Sequence, residues 1–131
     1  MYIENSILDK ALKFASRVIK LYQSLVNEKR EPIVSEQMIE SATSIGIIIN
    51  AAETAVNKDD FAKRMNEALD KTAEAEYWLR LLVMTGYVSQ VLGKSMLEDC
   101  LEIQQLLTDF IKSVVYKGQY DGSGEDGELM L

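Results

Sequence analysis

The residues of this chain best suited to chemistry are four carboxylates close together in one predicted helix: Glu67, Asp70, Glu74 and Glu76. A pair of carboxylates could transfer protons or bind a hard cation. Surface helices are commonly rich in acids, however, and Glu67 with Lys71 has the spacing of an ordinary i,i+4 ion pair. Glu76 differs, because helical spacing directs it into an apolar sector where an unpaired carboxylate is costly. We predict that Glu76 is a buried polar residue held by a structural hydrogen bond or an interfacial ion pair.

Histidine is absent from all 131 residues, and there is a single cysteine. The absence of histidine excludes triads that use an imidazole base and the Glu-x-x-His di-iron sites of helical bundles. Zinc sites need more Cys and His than this chain holds. Neither nucleotide-binding fingerprint, Gly-x-x-x-x-Gly-Lys-Ser/Thr or Gly-x-Gly-x-x-Gly, occurs in the sequence. We therefore predict no catalytic residues, no metal and no cofactor, and we expect the protein not to be an enzyme.

Three further side chains could react or bind, but each has a simpler explanation. Cys100 has only Asp99 and Glu98 beside it, and neither would lower the pKa of a thiol, so we expect a small half-buried hydrophobic residue. Tyr77 and Trp78 could stack on nucleobases. Without interleaved basic residues, helix packing or a subunit contact explains this aromatic pair better.

A basic stripe is the best local candidate for binding an anionic partner. It consists of Lys10, Lys13, Arg17 and Lys20, which recur every three or four positions. This spacing places the four side chains on one face of a helix, where their field could attract an anion. A solvated face is the default interpretation, because the opposite face of the same helix is apolar.

The composition is that of one globular domain with an acidic end. Apolar residues make up 47% of the chain and charged residues 27%, with a formal net charge of −7. Residues 118–131 hold four of the 21 acids and no base, which leaves 17 acids against 14 bases in the rest of the chain, or −3. We predict a folded domain at 1–117 and a flexible acidic tail at 118–131. An acidic body argues against broad nucleic-acid binding, which needs clustered Lys and Arg.

The compartment is predicted from what the chain lacks. A single cysteine cannot form an intrachain disulfide, which suits a reducing cytosol. No apolar run approaches the ~20 residues that a membrane span needs, and no signal-like segment opens the chain. We therefore expect a cytoplasmic protein with no membrane contact.

The apolar periodicity predicts four helices and no strands. They run from about residue 5 to 29, 35 to 56, 57 to 84 and 95 to 116. Short connections between four helices predict an all-α, antiparallel up-down-up-down four-helix bundle. A coiled-coil rod is the competing architecture, which the loops at 30–34 and 85–93 disfavour.

Each predicted helix has an apolar stripe for a common core. The first two stripes are Ile7, Leu8, Leu12, Ala15, Val18, Ile19, Tyr22 and Val26, and then Met38, Ala42, Ile45, Ile49, Ala52 and Val56. The third is Phe61, Met65, Ala68, Leu69, Thr72, Leu79, Leu82 and Val83. The fourth is Leu97, Leu101, Gln104 or Gln105, Leu107 or Thr108, and Ile111.

The second predicted helix has an additional face of apolar and small residues: Ser44, Ile47, Ile48, Ala51 and Ala55. A helix that is apolar on two sides is buried on two sides, and a bundle this small has only one core. An open apolar face would be unusual on a soluble monomer. We therefore predict that these five residues form the interface of a closed homo-oligomer.

Two tracts of the sequence are informative together. They are Thr43-Ser44-Ile45-Gly46, with Phe61 fifteen positions after the glycine, and Glu74-Ala75-Glu76-Tyr77-Trp78-Leu79. They resemble the four-helix-bundle family of 23S rRNA intervening-sequence proteins, which includes the accessory variability proteins of diversity-generating retroelements. Further similarity extends over about residues 5–116, at Ile7-Leu8-Asp9-Lys10, Lys20-Leu21-Tyr22, Gln37, Ala68-Leu69 and Thr85-Gly86-Tyr87.

The resemblance implies a non-enzymatic, oligomeric bundle that presents a surface to a macromolecular partner, and it favours a homopentameric ring. In the retroelement branch a basic ring binds RNA and a reverse transcriptase. An RNA- or reverse-transcriptase-binding accessory protein is therefore the alternative function, and a protein partner is the simpler one.

The second helix departs from the family pattern. Gly46-Ile47-Ile48-Ile49-Asn50-Ala51 stands where the family has Gly-Ala-Asn-Ile-x-Glu, and Glu40 stands where the family commonly has a basic residue. These changes make a polar patch apolar and remove positive charge, which argues against nucleic-acid binding. They fit an engineered interface or a strongly diverged one.

Overall fold

The computed structural model of the chain describes residues 5–116. They form four α-helices, α1 (Asn5–Asn27), α2 (Ile33–Ala52), α3 (Lys58–Met84) and α4 (Gln90–Ile111). A short π-helical segment, Lys112–Tyr116, continues α4. No strand occurs in this part of the chain. The predicted acidic tail at 118–131 lies outside the described residues.

The four helices form a closed cycle of neighbours. α1 packs on α2, α2 on α3, α3 on α4, and α4 returns to α1. Each connection between helices is five residues long, which makes consecutive helices antiparallel. The predicted all-α, up-down-up-down four-helix bundle is confirmed.

The core lies along the axis of the bundle and takes side chains from every helix. The largest fully buried side chains are Phe14, Phe61, Ile7, Leu25, Met38, Ile45, Ile49, Met65, Leu79, Leu82 and Met96. The ring of Phe61 on α3 meets the ring of Phe110 on α4 edge-on, with centroids 6.1 Å apart. This edge-to-face geometry is favourable for aromatic rings. The contact joins the start of α3 to the end of α4, at the end of the bundle away from the turn between these two helices.

The stripe predicted for α1 lies to one side of the face that is buried: two of its members, Ile7 and Val18, are buried, four are half-buried and two are exposed. The buried residues of α1 are Ile7, Ala11, Phe14, Val18, Leu21 and Leu25. Leu12 and Ile19 from the predicted stripe are instead 58% and 40% exposed. This helix has more apolar residues than one face can hold, so two different sets satisfy the helical spacing. The prediction included residues at the edge of the apolar sector and omitted Phe14, which is buried in the core.

The stripes predicted for α2 and α3 agree closely with the structure. On α2 only Val56 is wrong, since it follows the end of the helix and is 83% exposed. On α3, Leu69 and Val83 are half-buried, and the other predicted residues are buried. The predicted start of α3 is confirmed, because the side chain of Asn57 accepts a 2.8 Å hydrogen bond from the backbone N–H of Asp60.

The fourth helix begins five residues earlier than predicted, at Gln90. Ser89 caps it, because its hydroxyl accepts a 3.1 Å hydrogen bond from the backbone N–H of Leu92. Gly93, which the sequence suggested as part of a loop, is buried inside the helix. A Cβ at this position would clash with the side chain of Val83. The glycine therefore marks a close approach of α3 and α4 rather than a turn.

The core face of α4 agrees with the predicted one at Leu107 and Ile111 and differs from it elsewhere. It consists of Gly93, Met96, Cys100, Ile103, Leu107, Phe110 and Ile111. Leu97 is half-buried and Leu101 is 41% exposed, so both lie at the edge of the core. The earlier start of the helix explains part of the error, because Gly93 and Met96 establish a face that the shorter prediction did not contain.

The turn between α1 and α2 is built around Glu31, which is only 8% exposed. Its carboxylate accepts hydrogen bonds from the backbone N–H groups of Ile33, Val34 and Ser35 at 3.0, 3.2 and 2.9 Å. It also accepts one from the hydroxyl of Ser35 at 3.0 Å. These groups are the unpaired donors at the start of α2. Proline at 32 cannot cap the helix, and Glu31 does so instead.

Candidate functional site

Glu76 is held inside the subunit by two neighbours. Its carboxylate accepts a 2.8 Å hydrogen bond from the amide of Gln104 on α4 and a 2.9 Å hydrogen bond from the Nε of Arg80. Its side chain is 23% exposed, so it is half-buried rather than buried. The hydrogen bond from Gln104 is the largest cause that lowers the pKa of Glu76, and with Arg80 it outweighs the opposing effect of burial. The group is therefore a charged, saturated acceptor and poorly suited to donate a proton.

The other three carboxylates of the sequence-based group do not form a site with Glu76. Glu67 and Asp70 are exposed, and Glu74 binds Lys71 at 3.3 Å. Lys71 also reaches Glu40 on α2 at 3.4 Å, so the ion pair that we predicted with Glu67 is not the one observed. Among residues 5–116, no group of three or more His, Cys, Asp or Glu is arranged to hold a metal ion.

Cys100 lies in the core and is fully buried rather than half-buried. Its thiol donates a hydrogen bond to the carbonyl oxygen of Thr72, with 3.2 Å between sulfur and oxygen. Burial, followed by the nearby charge of Glu76, raises the pKa of the Cys100 thiol to about 12. A protonated thiol without solvent access is a packing residue and not a nucleophile.

The basic stripe on α1 faces the acids of α4. Lys10 binds Glu102 at 3.1 Å, and Arg17 binds Asp99 at 2.5 Å. Arg17 also donates a 3.1 Å hydrogen bond to the hydroxyl of Ser95. Two of the four positive charges are thus balanced within the subunit, while Lys13 and Lys20 remain exposed. Sequence spacing could not show this, because the acids lie about eighty residues away along the chain.

Tyr77 and Trp78 contact each other edge-on, with ring centroids 5.0 Å apart. Trp78 is half-buried and packs against the core, whereas Tyr77 is 59% exposed. The two rings do not lie side by side as parallel platforms, since the angle between their planes is 76°. Helix packing accounts for the tryptophan.

Four of the residues predicted for the oligomer interface lie on one side of α2, and the fifth, Ala55, follows the end of the helix. We call the whole set the α2 outer face (Ser44, Ile47, Ile48, Ala51 and Ala55). Ile47 is 68% exposed, and it lies midway between the buried Ile45 and Ile49, so it points away from the core. Ala51 is exposed, and the other three members are half-buried. Contact with another subunit remains a prediction.

A second open apolar surface lies between α3 and α4, near the turn that joins them. We call it the α3–α4 groove, and its apolar lining consists of Val83, Met84, Val91, Gly93, Leu97 and Leu101. The part of the groove between Val83 and Leu101, which Met84 does not line, has a volume of about 470 Å³. The sequence reading missed it because residues 87–93 were assigned to a loop. The available signal was the pair Val91 and Leu101, whose spacing fits one side of a helix that begins at residue 90.

No helix within residues 5–116 is both long enough and apolar enough to cross a membrane. The described part of the chain is an all-α four-helix bundle in which five basic side chains form ion pairs with six acidic ones. Its open features are apolar surfaces rather than a pocket of reactive groups. The protein is therefore a four-helix bundle with exposed apolar residues on its surface.

The chain belongs to the 23S rRNA-intervening sequence protein family, whose model matches residues 4–109. A solved structure with the same fold is that of a protein with unknown function from the S23 ribosomal protein family of Bacteroides thetaiotaomicron VPI-5482. The two chains are 44% identical, with a TM-score of 0.81 over 82% of this chain and 96% of the other. No curated protein matches the sequence. The family resemblance that the sequence suggested is confirmed.

Proposed function

We propose that the protein is a non-enzymatic module that assembles into a homo-oligomer through the α2 outer face and presents a surface to a macromolecular partner. The observation that carries this proposal is the exposure of Ile47, an isoleucine 68% open to solvent in the middle of a helix. Ala51, one turn along the same side of α2, is also exposed, whereas Ile48 and Ala55 are half-buried against the core of the subunit. A surface of this kind on a small protein marks an interaction site.

Covering the exposed side chain of Ile47 would favour association with a second molecule. Burial of a fully exposed isoleucine side chain contributes roughly 1.5–3 kcal/mol, and Ile47 retains most of that gain for a contact with another molecule. A closed ring lets every copy bury the same face at once. The ring number that the family resemblance favours is five.

The chemistry of the described residues supports a role without catalysis. Glu76 is saturated by Gln104 and Arg80, and Cys100 is buried and protonated. These were the two side chains with the strongest sequence-based case for reactivity. Cys100 has no access to solvent, and the carboxylate of Glu76 is engaged by both of its neighbours.

A protein partner agrees better with the charges than RNA does. The family description names the intervening sequence of 23S rRNA, and a ligand of that kind would need clustered free bases. Two of the four stripe residues, Lys10 and Arg17, are paired with acids of α4. A titration with structured RNA across salt concentrations tests this part of the proposal, and tight salt-dependent binding would favour the RNA-binding alternative.

The assembly is tested by light scattering on the full chain at micromolar concentration. The unaltered protein is expected to show a multiple of the subunit mass. The double variant Ile47→Lys with Ala51→Lys is expected to show the mass of one subunit, with helix content unchanged by circular dichroism. Asn66→Lys with Ala73→Lys is the matched control, because it adds the same charge to exposed positions of α3. A monomeric unaltered protein would disprove the proposal.

A further inference from the structure

The basic stripe lies along a furrow between α1 and α4, which we call the α1–α4 furrow. Its charged lining consists of Lys10, Lys13, Arg17 and Lys20 of α1 and of Asp99 and Glu102 of α4. The furrow is made of two adjoining depressions, of about 210 and 410 Å³, which share Arg17. It is therefore a continuous channel on the surface with four bases and two acids.

The ion pairs of the subunit do not neutralise this furrow. Its two acids bind Lys10 and Arg17. Lys13 and Lys20 are exposed, and neither forms an ion pair with another residue of the described range 5–116. The only acid of α1 is Asp9, which lies one turn from Lys13 and three turns from Lys20. The furrow thus retains a local positive charge in a chain whose net charge is −7.

The segment that follows α4 has the opposite charge. Residues 118–131 contain Asp121, Glu125, Asp126 and Glu128 and no Lys or Arg. Opposite charges on two surfaces favour their encounter. Because the segment is attached to α4, its effective concentration at a site within reach is of the order of millimolar. A separate anionic molecule has no such advantage.

The segment is long enough to reach the furrow. The two ion pairs of the furrow place the stripe beside residues 99–102 of α4. Tyr116 lies about 15 residues further along, which is about 22 Å at 1.5 Å per residue. The eleven residues from Tyr116 to Gly127 span up to about 36–40 Å when extended. A return along α1, the neighbour of α4, is therefore within their length.

We propose that residues 121–128 bind along the α1–α4 furrow of the same subunit, with their carboxylates at Lys13 and Lys20. An anionic partner of the basic stripe then has to displace this segment before it binds. The inference goes beyond the proposed function and does not depend on self-association through α2.

Disulfide formation in the full chain under mild oxidation tests the contact. Ser16→Cys with Gly127→Cys places one thiol on α1 between Lys13 and Lys20 and the other among the acids of the segment. Ser16 is exposed, so the change should not unfold the bundle, and the buried Cys100 is common to every variant. The link is expected within one subunit, which moves faster than the reduced chain on a denaturing gel without reductant.

Asn66→Cys with Gly127→Cys is the matched control. Asn66 is exposed on α3, five residues after Phe61, whose ring meets that of Phe110 near the end of α4. It is therefore nearer than Ser16 to the point where the segment leaves α4, so a segment without attraction for the stripe would link to it at least as fast. We expect the Ser16 pair to link faster by about two- to thirtyfold, the range for two exposed ion pairs.

Two further conditions show whether charge causes the preference. It should disappear at about 1 M salt, where the Debye length is about 3 Å. It should also disappear when the four acids of the segment are changed by Asp121→Asn, Glu125→Gln, Asp126→Asn and Glu128→Gln. The assembly is unaffected by these four changes if it forms through α2, so light scattering should give the parent mass.

Three results would overturn the inference. The first is a link at Asn66 that forms as fast as the link at Ser16 or faster. The second is a preference for Ser16 that survives high salt or the neutralised segment. The third is a link that joins two subunits, which appears at twice the subunit mass on the gel. None of the three bears on the α2 outer face, whose test is the mass of the Ile47→Lys, Ala51→Lys variant.

Discussion

The amide of Gln104 on α4 donates a 2.8 Å hydrogen bond to the carboxylate of Glu76 on α3. Arg80, one turn further along α3, binds the other oxygen of the same carboxylate at 2.7 Å. The pair lies beside the buried Cys100, whose thiol pKa the Glu76 charge helps to raise. A hydrogen bond to a charged group at this position ties α3 to α4 at one height and so fixes their relative register.

We expect Gln104→Ala to lower the free energy of unfolding by about 1–3 kcal/mol, since it removes the amide from a half-buried charged acceptor. Urea titration followed by circular dichroism measures the change. The matched control is Glu74→Ala, which removes an exposed ion pair with Lys71 and should cost only about 0–1 kcal/mol. Equal losses in the two variants would show that the Glu76 contact has no special structural role.

The carboxylate of Glu31 should make the stability of the bundle depend on acid pH. Burial alone would raise the pKa of this carboxyl, but the hydrogen bonds from Ser35, Val34 and Ile33 outweigh burial and hold the pKa below its ordinary value. A lowered pKa in the folded state means that the charged form stabilises the fold. This contribution is complete above the ordinary pKa of about 4.5 and is lost as the pH falls through the lower value in the folded protein.

The measurement is thermal unfolding of the parent and of Glu31→Gln at a series of pH values. We expect the variant to be less stable at neutral pH by about 1–2 kcal/mol, the range for loss of a helix cap. The difference should shrink as the pH falls below about 4.5. A difference that stays constant across this range would contradict the assignment of a charged capping role to Glu31.

Gly93 should be intolerant of a side chain as long as Val83 stands opposite. A Cβ at residue 93 would clash with the branched side chain of Val83, whose rotation is restricted. Overpacking of this kind costs about 1–3 kcal/mol, against a gain of about 1 kcal/mol in helix propensity. We expect Gly93→Ala to destabilise the bundle on its own and to stabilise it in a Val83→Ala background. Chemical unfolding of the four proteins of this cycle gives the coupling, and simple additivity would show that α3 and α4 do not meet here.

The sequence predicted the fold class, and it predicted some elements better than others for physical reasons. The core stripe of α2 was predicted well although this helix has a second apolar face, because the stripe extends further towards the start of the helix, to Met38. The stripe of α3 was predicted well because its apolar residues lie mainly on one side. The predicted core stripe of α1 was displaced to one side of the buried face. Leu12 and Ile19 fit the helical spacing as well as Phe14 and Leu21 do, so the spacing alone does not distinguish the two pairs. The start of α4 was predicted too late, because Gly93 was interpreted as a turn residue. In the structure Gly93 lies within the helix, where the close approach of Val83 on α3 leaves no room for a side chain. Contacts between distant segments carry that information, and a local pattern does not.

For the candidate functional surfaces too, local spacing predicted some features, whereas contacts between distant segments determine others. Ile47 could be marked as an open apolar residue from spacing alone, because the opposite side of α2 is clearly the core. The partial neutralisation of the basic stripe could not be predicted from spacing, because the acids that pair with it, Asp99 and Glu102, lie on α4. The role of Glu31 was also hidden, because the donors to its carboxylate are backbone N–H groups, which every sequence provides.

The partial neutralisation of the basic stripe leads to a prediction about anion binding. In the parent protein Lys10 and Arg17 are engaged with Glu102 and Asp99, so we expect weak binding to a polyanion such as RNA. Asp99→Asn with Glu102→Gln removes both acids and should free the two bases. Binding measured by fluorescence anisotropy should then tighten at low salt and weaken steeply as salt rises, with a slope that reflects the additional phosphate contacts.

The control is Asp70→Asn with Glu98→Gln, which changes the net charge by the same amount at exposed positions on α3 and α4. If both double variants gain affinity equally, total charge governs binding and the stripe has no local role. A parent protein that already binds RNA as tightly as the Asp99→Asn, Glu102→Gln variant would mean that the ion pairs with α4 open easily. The stripe would then be available to an anionic partner, because ion pairs of this partly exposed kind contribute only about 0.2–1 kcal/mol each.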